Sequence, residues 1–82
     1  MVRNDQFAPV GALAQAMAKA VNKAMARSGL SGNQLAKKMG RSQSYVSART
    51  QGRASWTLDE VDQIAQLTGV SFFDIVDAAQ DM

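Results

Sequence analysis

There is no cysteine and no histidine among these 82 residues. Without thiols the chain forms no disulfide and no thiolate metal site, which fits a reducing compartment. With both residue types missing, the commonest catalytic bases, nucleophiles and soft metal ligands are absent, so an enzyme is disfavoured. Carboxylates remain, but Asp74 and Asp77 alone are weak grounds for a hard-metal site, and neither metal nor cofactor is expected. No glycine-rich phosphate loop is present, and no small-molecule ligand is evident. Long apolar runs and a signal-peptide pattern are also missing. The expectation is therefore a soluble cytoplasmic protein with no membrane role. No internal repeat or linker divides the chain.

Aromatic residues are few, with three Phe, one Tyr and one Trp, although 46% of the chain is hydrophobic. The core must then come mostly from Ala, Leu, Val, Ile and Met, types compatible with helices, which predicts an all-α fold. A chain this short supports one domain, burying roughly 60% of its unfolded surface. Carboxylates are missing from a long internal stretch. Residues 6–58 hold Lys19, Lys23, Arg27, Lys37, Lys38, Arg41, Arg49 and Arg53 with no acid, and residues 59–82 hold Asp59, Glu60, Asp62, Asp74, Asp77 and Asp81 with no base. The net charge of +2 thus conceals a dipole whose basic side attracts a polyanion. Solvated charged faces are the plainer explanation, and charge alone does not choose between them.

Residues 1–8 have no periodic pattern and read as a flexible N-terminal arm, from which Arg3 could reach a groove or a phosphate; residues 9–82 form the domain. Pro9 suits the first turn of a helix running to Ser28, with Gly29 ending it. Leu13, Met17, Val21 (or Ala20), Ala24 and Met25 line its apolar side. Ser31 and Gln34 form an S-x-x-Q capping box for a second helix, with Leu35, Ala36 and Met39 at helical spacing and Gly40 at its end. Ser42 caps a third helix, Ser42–Gln51, closed by Gly52. Thr57 and Glu60 make a T-x-x-E box for a fourth, running to Thr68, with Leu58, Val61, Ile64, Ala65 and Leu67 on its apolar side. Trp56 precedes that cap and is expected as core filler, stapling to Val61. Ser71 caps a fifth helix, Phe72–Ala79. Of its apolar residues Phe72, Ile75 and Val76 are assigned to core closure, and Phe73 is left open between core and a dimer patch.

Small Ala36, then Gly40, then Val46, with Leu35 and Met39 between them, resembles the DNA-binding helix-turn-helix of the Cro/lambda-repressor (XRE) family. The likeness runs from about Val10 to Val76 and is most specific from Leu30 to Gly52. The segment SQSYVSARTQGRASWTLDEVDQIAQLTGVS looks most like actinobacterial and actinophage members, including immunity repressors. The resemblance implies a five-helix bundle with a central helix-turn-helix, its second helix entering the major groove. The function implied is a sequence-specific transcriptional regulator, a phage or prophage repressor of immunity or Cro-like type, binding a double-stranded operator with a homodimer on DNA plausible.

On a helix starting at Gln43, residues 43, 44, 47, 48 and 51 lie away from Val46. Gln43 can pair bidentately with adenine, Ser44 and Ser47 can serve several base edges, and small Ala48 can meet a thymine methyl. The resemblance places base contacts at Gln43, Ser44 and Ala48 and a phosphate contact at Gln51. Lys37, Lys38, Arg41 and Arg53 are expected on phosphates, aided by the helix starts at Ser31 and Ser42. Gly32 stands where several relatives carry a glutamine that orients the base-reading one. Arg41 and Arg49 occupy usually aliphatic positions. Arg49 either pairs with Asp59 or Glu60 or binds DNA, with a phosphate the favoured target; Tyr45 is divided between core and phosphate. The competing reading is a helical protein-interaction or antitoxin-like adaptor module working through the Phe72–Val76 surface.

Overall fold

The computed structural model describes residues 11–80, and no strand occurs among them. Five helices follow in order: α1 (Ala12–Ser28), α2 (Gly32–Met39), α3 (Gln43–Thr50), α4 (Leu58–Thr68) and α5 (Phe72–Gln80). Their limits are set locally. Ser31 Oγ accepts the Gln34 amide at 3.1 Å while Gln34 Oε1 accepts the Ser31 amide at 2.9 Å, completing the first capping box. Thr57 and Glu60 repeat the arrangement at 3.1 and 2.9 Å. The Ser42 hydroxyl accepts the Tyr45 amide at 3.1 Å and so starts α3. The end of α2 needs a left-handed residue, and Gly40 supplies it at φ 68°. The following amide, Arg41 N–H, then donates back to Ala36 O at 2.9 Å, which locks the turn between α2 and α3. The third helix stops at Thr50, one residue before the expected end, because Gln51 already leaves helical geometry at φ −90°, ψ 0°.

Each helix sends at least one large residue into a common centre: Val21, Leu35, Val46, Val61 with Ile64, and Ile75 are all fully buried. Neither α2 nor α3, at eight residues each, would persist alone in water, so this shared core maintains them. The first helix touches α3, α4 and α5, while α2 packs on α3 and α4 on α5. Buried Ala18, Ala20 and Ala24 give α1 a smooth side on which the other helices lie close. Trp56 joins the same cluster as Val61, in agreement with the filler role.

Three expectations need correction. Leu13 is 66% exposed and Leu58 70% exposed, although both were assigned to apolar sides. Leu58 opens α4 and Leu13 is the second residue of α1. Helical side chains tilt toward the N-terminus, so both project past the end of the core rather than onto it. The described part of α1 begins at Ala12 with Gly11 as its cap, without a side-chain bond; Pro9, Arg3 and the proposed arm lie outside the described residues. On α5, Phe72 packs against the core and Ile75 is buried, whereas Val76 is only half-buried and Phe73 is 73% exposed.

Candidate nucleic-acid interface

Val46 faces inward at 2% exposure and thereby sets the rotation of α3. One hundred degrees per residue then turns Ser44 and Ala48 away from Val46, while Gln43 is exposed because it opens the helix; Ser44 is exposed as well, and Ser47 and Ala48 are half-buried. Lys37 and Lys38 in the last turn of α2 and Arg41 in the locked turn are exposed too. The amino-terminal half of α3 therefore meets solvent, preceded along the chain by three exposed cations and with no carboxylate of its own. Gln51 and Arg53 are exposed past the end of the helix. The Gln51 amide nitrogen donates to Ser47 Oγ at 2.9 Å, and Arg53 donates to Gln51 Oε1 at 2.5 Å. These three sites thus form one surface chain and not three independent groups. Ser42 is exposed while its oxygen caps α3, with its own hydroxyl proton left to donate.

Behind this surface lies a second network. The Tyr45 hydroxyl donates to Glu60 Oε2, joining α3 to α4. Among the described helices these two make few backbone approaches, so the link is made by side chains. Glu60 is 6% exposed and its other oxygen is held by the Thr57 amide. Arg49 turns to the same place. Its Nε lies 4.0 Å from Glu60 Oε1, its guanidinium carbon 3.4 Å from the Tyr45 ring centre, and Nη1 donates to the Tyr45 carbonyl at 3.0 Å. Nε itself is buried with no hydrogen-bond partner, so Arg49 is retained by charge, stacking and one backbone bond. Arg49 thus pairs with Glu60, one of the partners expected for it, and Tyr45 bridges α3 and α4. Arg41 also lies over the ring, 4.5 Å from its centre.

Titration follows this geometry. Burial pushes the Glu60 carboxyl up, but the Thr57 amide, the Tyr45 hydroxyl, the Thr57 hydroxyl and the Arg49 charge together hold it below the ordinary 4.5. The Tyr45 phenol is raised above 10.0, first by its bond to Glu60, then by burial and the adjacent carboxylate, against the opposing charges of Arg49 and Arg41. Both groups therefore keep one charge state across neutral pH.

One support escaped the sequence reading. Asn22 of α1 donates to the Thr50 carbonyl at 2.8 Å, satisfying a terminal acceptor of α3 and bracing that end. Periodicity marks Asn22 only as a polar position off the apolar stripe, so nothing local points to its partner. No group of acids capable of holding a metal occurs among the described residues. No described helix is long and apolar enough to cross a membrane.

Two short helices locked at a glycine turn, the second displaying polar and small side chains beside cations, define a helix-turn-helix unit in an all-α domain, a DNA-binding architecture. The chain belongs to a family described as "Helix-turn-helix domain", related to the XRE type, whose profile matches residues 11–72. No curated protein and no solved structure matches it.

Proposed function

We propose that this protein is a sequence-specific transcriptional regulator of the phage or prophage repressor type, immunity or Cro-like, that inserts α3 into the major groove of its operator. The observation that carries the proposal is the start of α3: Gln43 and Ser44 stand exposed on a helix anchored by buried Val46, just after the exposed cations Lys37, Lys38 and Arg41 in the chain. Gln43 leads, at the start of the helix where base edges come nearest, and reads adenine through its amide. Ser44, Ser47 and Ala48 read neighbouring positions. Lys37, Lys38, Arg41, Ser42, Gln51 and Arg53 hold phosphates and set the docking register without selecting sequence. Arg49 was expected there as well; we assign it instead to the internal network, since its charge is shared with Glu60.

Binding as a two-fold dimer would place half-sites about 34 Å apart. Selection of bound duplexes from a random library tests the reading, because the recovered site gives both sequence and symmetry. Anisotropy titration of that site against salt should give a log–log slope of several units. An adaptor working through exposed Phe73 on α5 would instead leave the library unenriched and show no duplex binding at ~50 mM salt.

A further inference from the structure

Two arginines share the ring of Tyr45, and their surroundings differ. The Arg49 guanidinium carbon is 3.4 Å from the ring centre, with Glu60 beside it. The Arg41 carbon is 4.5 Å from the same centre, and the side chain is exposed. The Arg49–Glu60 contact is the one ion pair among the described residues, so the charge of Arg41 is not neutralised by a carboxylate there. Its backbone is already fixed: Arg41 N–H is bonded to Ala36 O at 2.9 Å, behind Gly40 at φ 68°. The ring is fixed too, by the bond from its hydroxyl to Glu60, which is held in turn by the Thr57 amide at 2.9 Å. A rigid turn and a rigid ring thus confine a long, charged and otherwise flexible side chain at the amino end of α3.

We infer that Tyr45 is the positioning residue for Arg41: its ring holds the guanidinium beside the α2–α3 turn, placed for a backbone phosphate before any duplex arrives. This rests on the DNA-binding reading above and assigns within it a division of labour. Arg49 and Glu60 secure the ring, and Arg41 uses it. A guanidinium already confined has less rotamer freedom to lose when it clamps a phosphate, and its planar fork suits that anion. Tyr45 itself need not touch DNA.

The test uses the full chain and a labelled random-sequence duplex about two helical turns long, with anisotropy read across a salt series. In the wild-type background Arg41→Ala should lower the log–log salt slope by about 0.9, the loss of one phosphate contact. In a Tyr45→Leu background the same change should lower it by less than half that, and Tyr45→Phe, which keeps the ring but loses the hydroxyl bond that fixes it, should give a loss between the two. Equal slope losses in the wild-type and Tyr45→Leu backgrounds would overturn the inference. An unchanged slope for Arg41→Ala in the wild type would overturn it as well, by taking Arg41 off the phosphates. If the wild-type chain binds no duplex at ~50 mM salt, the DNA reading itself fails first. Should Tyr45→Leu fail to fold, proton NMR of the free wild-type protein decides: Arg41 side-chain protons should be shifted upfield by the ring, and random-coil positions would refute the stacking.

Discussion

Replacing Glu60 by alanine removes three things at once: an acceptor for the Thr57 amide, an acceptor for the Tyr45 hydroxyl, and the negative charge beside Arg49. The first is one arm of a capping box, worth about 1 kcal/mol. Breaking a fully buried ion pair costs ~3–5 kcal/mol, because the surviving charge is stranded. Here the Arg49 side chain is 19% exposed and 4.0 Å from the carboxylate, so water screens part of that loss. A contribution of about 1–2 kcal/mol is more fitting. The lost acceptor for the Tyr45 hydroxyl adds about 1 kcal/mol, so Glu60→Ala should destabilise the domain by roughly 3–4 kcal/mol and lower its Tm by roughly 12–30 °C. Glu60→Gln keeps a carbonyl for the Thr57 amide but loses the charge and the acceptor for the Tyr45 hydroxyl, so roughly 1–2 kcal/mol is expected. Urea and thermal denaturation followed by circular dichroism at pH 7 measure both. A loss under ~0.5 kcal/mol for alanine would refute the argument, since that is the scatter of unremarkable surface changes. Equal losses for the two variants would remove the cap from it. The pH dependence supplies a further check. The folded carboxyl titrates below the ordinary 4.5, so its stabilisation is complete above that value and disappears as pH falls through the folded pKa. Wild-type stability should consequently decline more steeply on acidification than that of Glu60→Gln.

Gln43→Ala should weaken the selected site by roughly 1–3 kcal/mol and relax one base position. An equal loss on every sequence, measured by competition anisotropy, would contradict a base-reading role. Lys38→Ala should weaken all duplexes alike and reduce the salt slope by about 0.9; an unaltered slope would remove it from the phosphates. The glycines of the unit should respond in opposite senses. Gly40→Ala meets no atom within 4 Å but must adopt φ near 68°, a loss of roughly 1–2 kcal/mol. Gly32→Ala lies in open space in the first turn of α2, where relief of backbone entropy should stabilise by about 0.4–1 kcal/mol in the same denaturation assay.

Much of this architecture was legible without coordinates because it is made by neighbours in the chain. Caps at Ser31, Ser42 and Thr57 act over three residues, and the Gly40 turn is decided by one backbone angle, so residue type alone points to them. Apolar spacing likewise placed Val21, Leu35, Val46, Val61, Ile64 and Ile75 inside. Spacing went wrong at Leu13 and Leu58 because a helical wheel carries no information on where the partner helices end.

The interface divides along the same line. That Ser44 faces away from Val46 follows from helical pitch, and that Gln43 is exposed follows from its place as the first residue of α3. The direction of Arg49 does not, since a long side chain with several rotamers is settled by whatever charge lies within reach, and that charge comes from Glu60, eleven residues on and one helix away. The bridge from Tyr45 to Glu60 and the brace from Asn22 to Thr50 are non-local in the same sense. Sequence thus determined the helices, their limits and the side of α3 turned outward, all short-range consequences of backbone geometry. Only the packed structure decided which polar groups were drawn inside to hold that helix in place, because a buried charge goes to the partner that offsets its lost hydration, and partners are assigned in space.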